Sequence, residues 1–353
     1  TTGTAFMRVP DYAGAGNNLV AAGASATSLA ATGATAYTKV AGSLALSADA
    51  SVATLTLTGT GSVDVGASTF TVSQGTSAQT GILKNGGGEA IIGGSGSLTL
   101  GGSTGAEKDI RVDTAADTLT INAPLAFGSA SGNTFYKLGA GRLVLAGNNT
   151  YTSNLVVVEG VVRATSSTAF GATANTVNAW WGAAIELSGG VTIPNALTLG
   201  TSGYNSMGWM GQNTGSLRNV SGNNTVTGAV NSGGYYRINA DAGSLTLNSI
   251  TGTANITFGG TVSTPGAAAG SITLLAWGAA NTVLIGHDGT GTLTLRPAAT
   301  ITSGGSITHI SNGGTLVLDN TLMATPTNLI GSGNSLTLRG TAPDLPTICS
   351  AVP

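Results

Sequence analysis

The sequence predicts an all-β chain, a parallel β-helix, from three observations: a short apolar–polar–apolar phrase that recurs along the chain, an excess of glycine, and a shortage of charge. Glycine is 56 of 353 residues, against an average near 7%. Charged residues are 7% of the chain, where an ordinary soluble domain has roughly 25%. Hydrophobic residues remain at 41%, so charge-driven disorder does not fit.

The recurring phrase reads Leu55-Thr56-Leu57, Leu98-Thr99-Leu100, Leu119-Thr120-Ile121 and Leu143-Val144-Leu145 in the first half. It returns as Ile185-Glu186-Leu187, Leu197-Thr198-Leu199, Leu245-Thr246-Leu247 and Ile256-Thr257-Phe258, and again at Ile272, Leu293, Leu316 and Leu336. Strict alternation puts the apolar side chains on one face of a strand and threonine on the other. Threonine is β-branched and favours strands. Gly, Asn and Ser between the phrases supply turns. Strands this short are unstable alone, but stacked at a period they bury a continuous core. The steps from Leu98 to Leu119 (21), Leu119 to Leu143 (24), Ile272 to Leu293 (21) and Leu316 to Leu336 (20) predict coils of 20–24 residues. Intervals of 12, 11 and 9 in the later half keep an antiparallel sandwich array as the rival.

Residues 1–50 are expected to form an N-terminal arm and Ala/Gly/Thr-rich first coils, 51–340 the β-helix, and 341–353 a Pro-rich C-terminal arm. An Asn/Gly-rich aromatic insertion is expected around 203–237. Proline keeps the arms out of regular ladders. Thr1-Thr2-Gly3 has no initiator Met or basic leader, the kind of terminus that a removed signal peptide leaves.

Twelve Lys plus Arg in 353 residues, with a net charge of −2, give no nucleic-acid footprint. No run of about 18 apolar residues predicts a membrane-spanning helix. Cys349 is the sole cysteine, which excludes an intrachain disulfide and a multi-cysteine zinc site. Glu107, Asp109, Asp113 and Asp117 are the densest acidic group. If 109–117 were one strand, the three aspartates would share a face, the arrangement a Ca²⁺ site or a carboxylate-based enzyme needs. Lys108 and Arg111 interleave with them, so a solvated, self-paired turn is expected. His287-Asp288-Gly289 reads as a coil corner, and neither it nor His309 has a second histidine nearby in sequence. The Gly86-Gly87-Gly88 and Gly93–Gly96 stretches lack the Lys-Ser/Thr of a phosphate loop. No catalytic, metal or cofactor-binding residue is predicted.

Trp180, Trp181, Tyr204, Trp209, Tyr235 and Tyr236 fall close together in sequence. With Cys349 they are the candidate assembly or ligand contacts, since exposed aromatics stack on sugars or anchor protein contacts.

Lys137 to Tyr151, KLGAGRLVLAGNNTY, followed by Thr152 to Ala164, TSNLVVVEGVVRA, resembles the autotransporter-associated β-strand repeat, K-x-G-x-G-x-L-x-L-x-G-x-N-T-Y. The continuation Ser167 to Leu187, with Phe170-Gly171 and Gly182 to Leu187, is also similar. The full motif occurs once, with weaker echoes from Leu55 to Leu338. The resemblance implies a right-handed parallel β-helix and an exported bacterial surface protein. The residues after Leu338 do not read as the family's amphipathic barrel strands of about 10 residues, which leaves the export route open. Sparse charge also gives little electrostatic protection against association. The expected function is therefore structural: an extracellular subunit, not an enzyme, that joins copies of itself end to end into a filament or sheath through its arms. The alternative is a monomeric adhesin whose aromatic loop binds a glycan or cell surface. A polysaccharide-degrading β-helix enzyme is the third reading.

Overall fold

The computed structural model describes residues 17–74, 79–102, 105, 107–128, 132–180, 182–200, 214–233, 236–252, 256–259, 269–277, 285–301, 307–311, 314–331, 335–340 and 347–351. These residues form strands, turns and bends without a helix. The chain divides into two compact units, Thr1–Asn175 and Thr176–Pro353. Each is a parallel β-solenoid, in which a strand pairs with the equivalent strand one coil later.

In the first unit, one face stacks Asn17–Val20, Tyr37–Val40, Thr54–Thr58, Gln79–Asn85, Glu107–Val112, Thr134–Leu138 and Asn154–Val157 in that order. A second face stacks Ser25–Ala26, Ser43–Ala45, Ser62–Asp64, Gly88–Gly93, Asp117–Ile121, Arg142–Leu145 and Val161–Ala164. A third, shorter face stacks Ala50–Val52, Thr69–Val72, Ser97–Leu100 and Leu125–Phe127. The second unit, taken by itself, has two long faces. One face runs from Thr176–Ala179 through Ala196–Leu199, Asn223–Ser232, Ser244–Gly252, Ser271–Leu274, Thr292–Leu295 and Thr315–Asp319 to Thr347–Ala351. The other runs from Ala184–Ser188 through Leu217–Ser221, Tyr236–Ala240, Ile256–Phe258, Ile285–Gly289 and Ile307–Ser311 to Leu336–Gly340.

The multiple faces correct the sequence reading of the period. Leu119 does sit opposite Leu143, and Ile272 opposite Leu293. Leu98, however, pairs with Leu125 on the third face, not with Leu119. Leu316 pairs with Ile348, while Leu336 pairs with Ile307. The phrase marks any strand with a buried side, so successive phrases often lie on different faces of one coil. The same fact explains the short intervals. Leu245 and Ile256 are 11 residues apart because they occupy different faces, each in its own parallel ladder. The antiparallel rival fails on this pairing.

Inward columns run along the coils. Leu245, Ile272, Leu293 and Leu316 stack in register and are all buried, as are Leu247, Leu274 and Leu295. Each such side chain contributes about 1.5–3 kcal/mol by leaving water. The alternate positions of the same strands are partly exposed Ser and Thr: one outward column holds Ser244, Ser271, Thr292 and Thr315.

The 137–151 motif is now legible residue by residue. Leu143 and Leu145 fill the core. Gly139 turns the corner at φ +76°, and a Cβ there would lie 2.2 Å from the Val112 carbonyl oxygen. A Cβ on Gly147 would lie 2.4 Å from the Ala123 oxygen. Asn149 ties three coils: its Oδ1 accepts from the Leu125 amide at 2.9 Å and its Nδ2 donates to the Ala169 oxygen at 2.8 Å. Tyr151 is buried, stacks on Phe127 at 4.8 Å and meets Phe135 edge-on at 5.4 Å. Its hydroxyl donates to the Ala169 oxygen at 3.2 Å.

The C-terminal segment differs from the expected arm. Thr347–Ala351 is a rung paired in parallel with Thr315–Asp319. Within the expected insertion, Leu217–Ser221 and Asn223–Ser232 are strands of the two ladders.

Gly139→Ala is expected to lower stability by about 3 kcal/mol, since it combines positive-φ strain with a backbone clash. Urea unfolding checks this, and a change under 1 kcal/mol would contradict the close corner packing.

Candidate functional site

The aromatic candidates do not come together as one surface among the described residues. Trp180 follows the strand Thr176–Ala179 and is 42% exposed, with its carbonyl accepting from the Ala183 amide in a turn. Tyr236 begins the strand Tyr236–Ala240 and is buried, in register with Ile256. It is thus a core residue and is not presented to a partner. Trp181, Tyr204, Trp209 and Tyr235 lie outside the described residues. Cys349 occupies a rung position opposite Val317.

The acidic group is not a solvated turn. Glu107 and Asp109 lie on the strand Glu107–Val112 and Asp113 follows it, whereas Asp117 opens the next strand, around a corner. Arg111 and Asp113 form an exposed pair at 2.7 Å. Asp117 is fully buried and takes a proton-bearing partner from another coil, the Lys84 ammonium at 2.6 Å. Its other oxygen accepts from the Thr114 amide and hydroxyl at 2.9 and 2.7 Å. Burial alone would raise the Asp117 carboxyl, but the Lys84 and Thr114 bonds outweigh it and hold it below the ordinary value.

Three lysines point into the first unit, and sequence reasoning missed all of them. Lys84 sits between Leu57 and Val112, Lys108 between Thr80 and Phe135, and Lys137 between Ile110 and Val157. All three are fully buried. The signal was present: each is two residues from an inward apolar residue, in phase with Ile82, Ile110 and Phe135. Lys84 and Lys137 are matched to corner carbonyls. Lys84 donates to the Asn85 and Gly87 oxygens at 3.0 and 2.9 Å. Lys137 donates to those of Leu138, Gly139 and Glu159 at 3.1, 2.6 and 2.9 Å. Burial pushes Lys137 down to about 7. The three carbonyls are the full complement an ammonium can use, so its place is at a corner where the chain turns and strand pairing stops. Lys108 differs: its Nζ has no hydrogen-bond partner among the described residues, and burial lowers its pKa. The neighbouring Asp109 is also buried, and burial, helped by Glu107, pushes it up to about 7.

The second unit carries a buried ionic ladder. Glu186, Arg218 and Asn239 are register partners on three neighbouring coils. Arg218 donates to Glu186 Oε1 at 3.0 Å and, from two nitrogens, to Asp241 Oδ2, the Nε bond being 2.9 Å. Burial opposes the charge, but the Asp241 and Glu186 carboxylates hold the Arg218 guanidinium above its ordinary pKa. Asn239 Nδ2 closes the set on Asp241 Oδ1 at 3.0 Å. Next to it, Asn224 Oδ1 accepts from the Gly190 and Val191 amides at 2.9 and 2.7 Å, and Asn224 Nδ2 bonds Asn219. Each charge here is paired with a group on another coil, which makes the cluster a cross-coil fastener.

His287 lies on a strand, Ile285–Gly289, and not at a corner. Its register partner is His309, so the fold sets side by side two histidines that the sequence separates by 22 residues. A shallow groove of about 240 Å³ in the first unit is lined by Thr32, Asp49, Ala50, Ser51, Thr69 and Thr71. Its one carboxylate already accepts from the Thr69 amide at 2.8 Å. Among the described residues, no group of three or more His, Cys, Asp and Glu is placed to hold a metal ion, and no helix is long and apolar enough to cross a membrane.

Comparison with protein-family models, with curated proteins and with solved structures finds no match.

The raised Asp109 carboxyl fixes a sign. Between its unfolded value near 4 and its folded value of about 7, the folded state holds the proton more tightly. Asp109 therefore favours folding at low pH, and that contribution is lost as pH rises through 7. Asp109→Asn is expected to be most stabilising, relative to the parent, above pH 7 and least so near pH 4. Paired urea titrations across that window check it, and a pH-independent difference would contradict the burial.

Proposed function

We propose that this chain is an extracellular structural subunit, exported to a bacterial surface, whose copies join coil to coil into a filament or sheath. The observation that carries the reading is the ladder itself. In-register parallel rungs repeat the same backbone hydrogen-bond pattern, so a rung of one copy is a template for a rung of another. Two features support it. The chain is only 7% charged with a net charge of −2, so little like-charge repulsion opposes stacking. Buried ionic groups such as Lys84 with Asp117 and Arg218 with Glu186 and Asp241 link one coil to another, which suits a load-bearing scaffold better than turnover. The likeness of residues 137–164 to the autotransporter-associated repeat supports export to the cell surface.

Negative-stain electron microscopy of the native protein at neutral pH is expected to show filaments with a regular axial repeat. Deleting Thr341–Pro353, which removes the rung Thr347–Ala351, is expected to shorten them. Particles that stay monomeric at high concentration overturn the reading.

The exposed Trp180 supports a second reading, an adhesin that holds a glycan ring against its indole. In that case Trp180→Ala reduces retention on a glycan surface severalfold while leaving thermal unfolding unchanged.

A further inference from the structure

The apolar phrases account for the core, but the residues between them have been given no task. In the second unit these residues form an array. Ser244, Ser271, Thr292 and Thr315 make one outward column, each in register with the next. Thr225, Thr246, Thr273 and Thr294 make the other. From Ser244 to Leu318 the rungs of this face pair residue for residue without a register shift. All eight hydroxyl-bearing residues are partly exposed.

Strand geometry sets the spacing. Neighbouring rungs lie about 4.8 Å apart, and two residues along one strand are about 6.6 Å apart. The result is a nearly rectangular grid of hydroxyls and methyls with two fixed repeats. Both repeats are close to those between water oxygens on a prism face of hexagonal ice. We propose that this face binds ice.

Three properties of the array single out that occupant. No position of either column is charged, so the grid itself complements a neutral solid; the nearest charges on these strands, Arg296 and Asp319, lie beyond its edge and are paired with each other at 3.1 Å. Neither column contains an aromatic residue, which is what a sugar ring would stack on; the exposed Trp180 belongs to neither column. The threonine rotamers are restricted by β-branching, and behind them Leu245, Ile272, Leu293 and Leu316 are buried. The hydroxyls are thus ordered when the chain folds, and binding needs little further ordering. Hydroxyls anchor first-layer waters by hydrogen bonds, while the methyls between them leave the remaining waters to bond with one another. The inference does not rest on self-assembly, since a single chain carries the whole grid.

The test is ice growth in solutions of the full chain. Shaped crystals, a gap between melting and freezing points, and inhibited recrystallisation are expected. Thr273→Tyr, at the middle of the grid, is expected to reduce the gap severalfold. Thr257→Tyr, partly exposed on the other face of the same unit, is expected to leave it unchanged. If Thr273→Tyr alters the circular dichroism or the melting curve, Thr294→Lys replaces it, placing a charge at a partly exposed position. Absence of ice shaping by the parent chain overturns the proposal, as does equal loss in the Thr257 variant. Retention on crystalline cellulose without any effect on ice also overturns it and assigns the face to a solid polysaccharide.

Discussion

In-register pairing of parallel backbone rungs is the interaction on which the rest of this structure depends. It fixes the distance between coils, and that distance decides what each position tolerates. Inward positions stack like on like, so Leu245, Ile272, Leu293 and Leu316 meet as one apolar column. At the corners the backbones of successive coils approach so closely that Gly139 and Gly147 leave no room for a Cβ. The same rigid spacing turns partly exposed threonines into a grid.

Pairing has a cost where it stops. At each corner, amides and carbonyls leave the ladder and need other partners. The protein meets this need with long or forked polar side chains drawn inward. Lys84 and Lys137 collect corner carbonyls, while Asn149 and Asn224 bridge amides and carbonyls of different coils. Asp117 and Asp241 compensate the buried cations at Lys84 and Arg218. Replacing one member of such a pair leaves a buried charge alone, at a cost of about 3–5 kcal/mol. The scarcity of charge in the chain and the burial of much of what remains are therefore two aspects of one design. Charge is kept for fastening coils, and the outward faces are left largely to hydroxyls.

Lys108 and Asp109 depart from this economy. Their strand lies in register between two others, so the Lys108 side chain is carried inward opposite Phe135 whether or not an acceptor is there. Backbone register is fixed collectively by every rung of the stack, and one unsatisfied ammonium is too weak to shift it. The pair is a local strain that the surrounding ladder enforces.

Alternation was enough to establish strands, a stacked architecture and the apolar core positions, because inward phase is a local property read two residues at a time. Some turns were legible too, since a positive φ selects glycine as at Gly139, but the expected corner at His287–Gly289 is a strand. The period was not legible: Leu98 and Leu119 look one coil apart but lie on different faces. Nor were Lys84–Asp117, Arg218 with Glu186 and Asp241, or the partnership of His287 with His309. Each joins residues 22 to 33 positions apart, and coil length varies too much for arithmetic to predict which positions meet. Sequence thus determined which side of a strand each residue occupies; only the tertiary register decided its neighbours, because parallel pairing links residues through the length of the intervening coil and not through any property of the residues themselves.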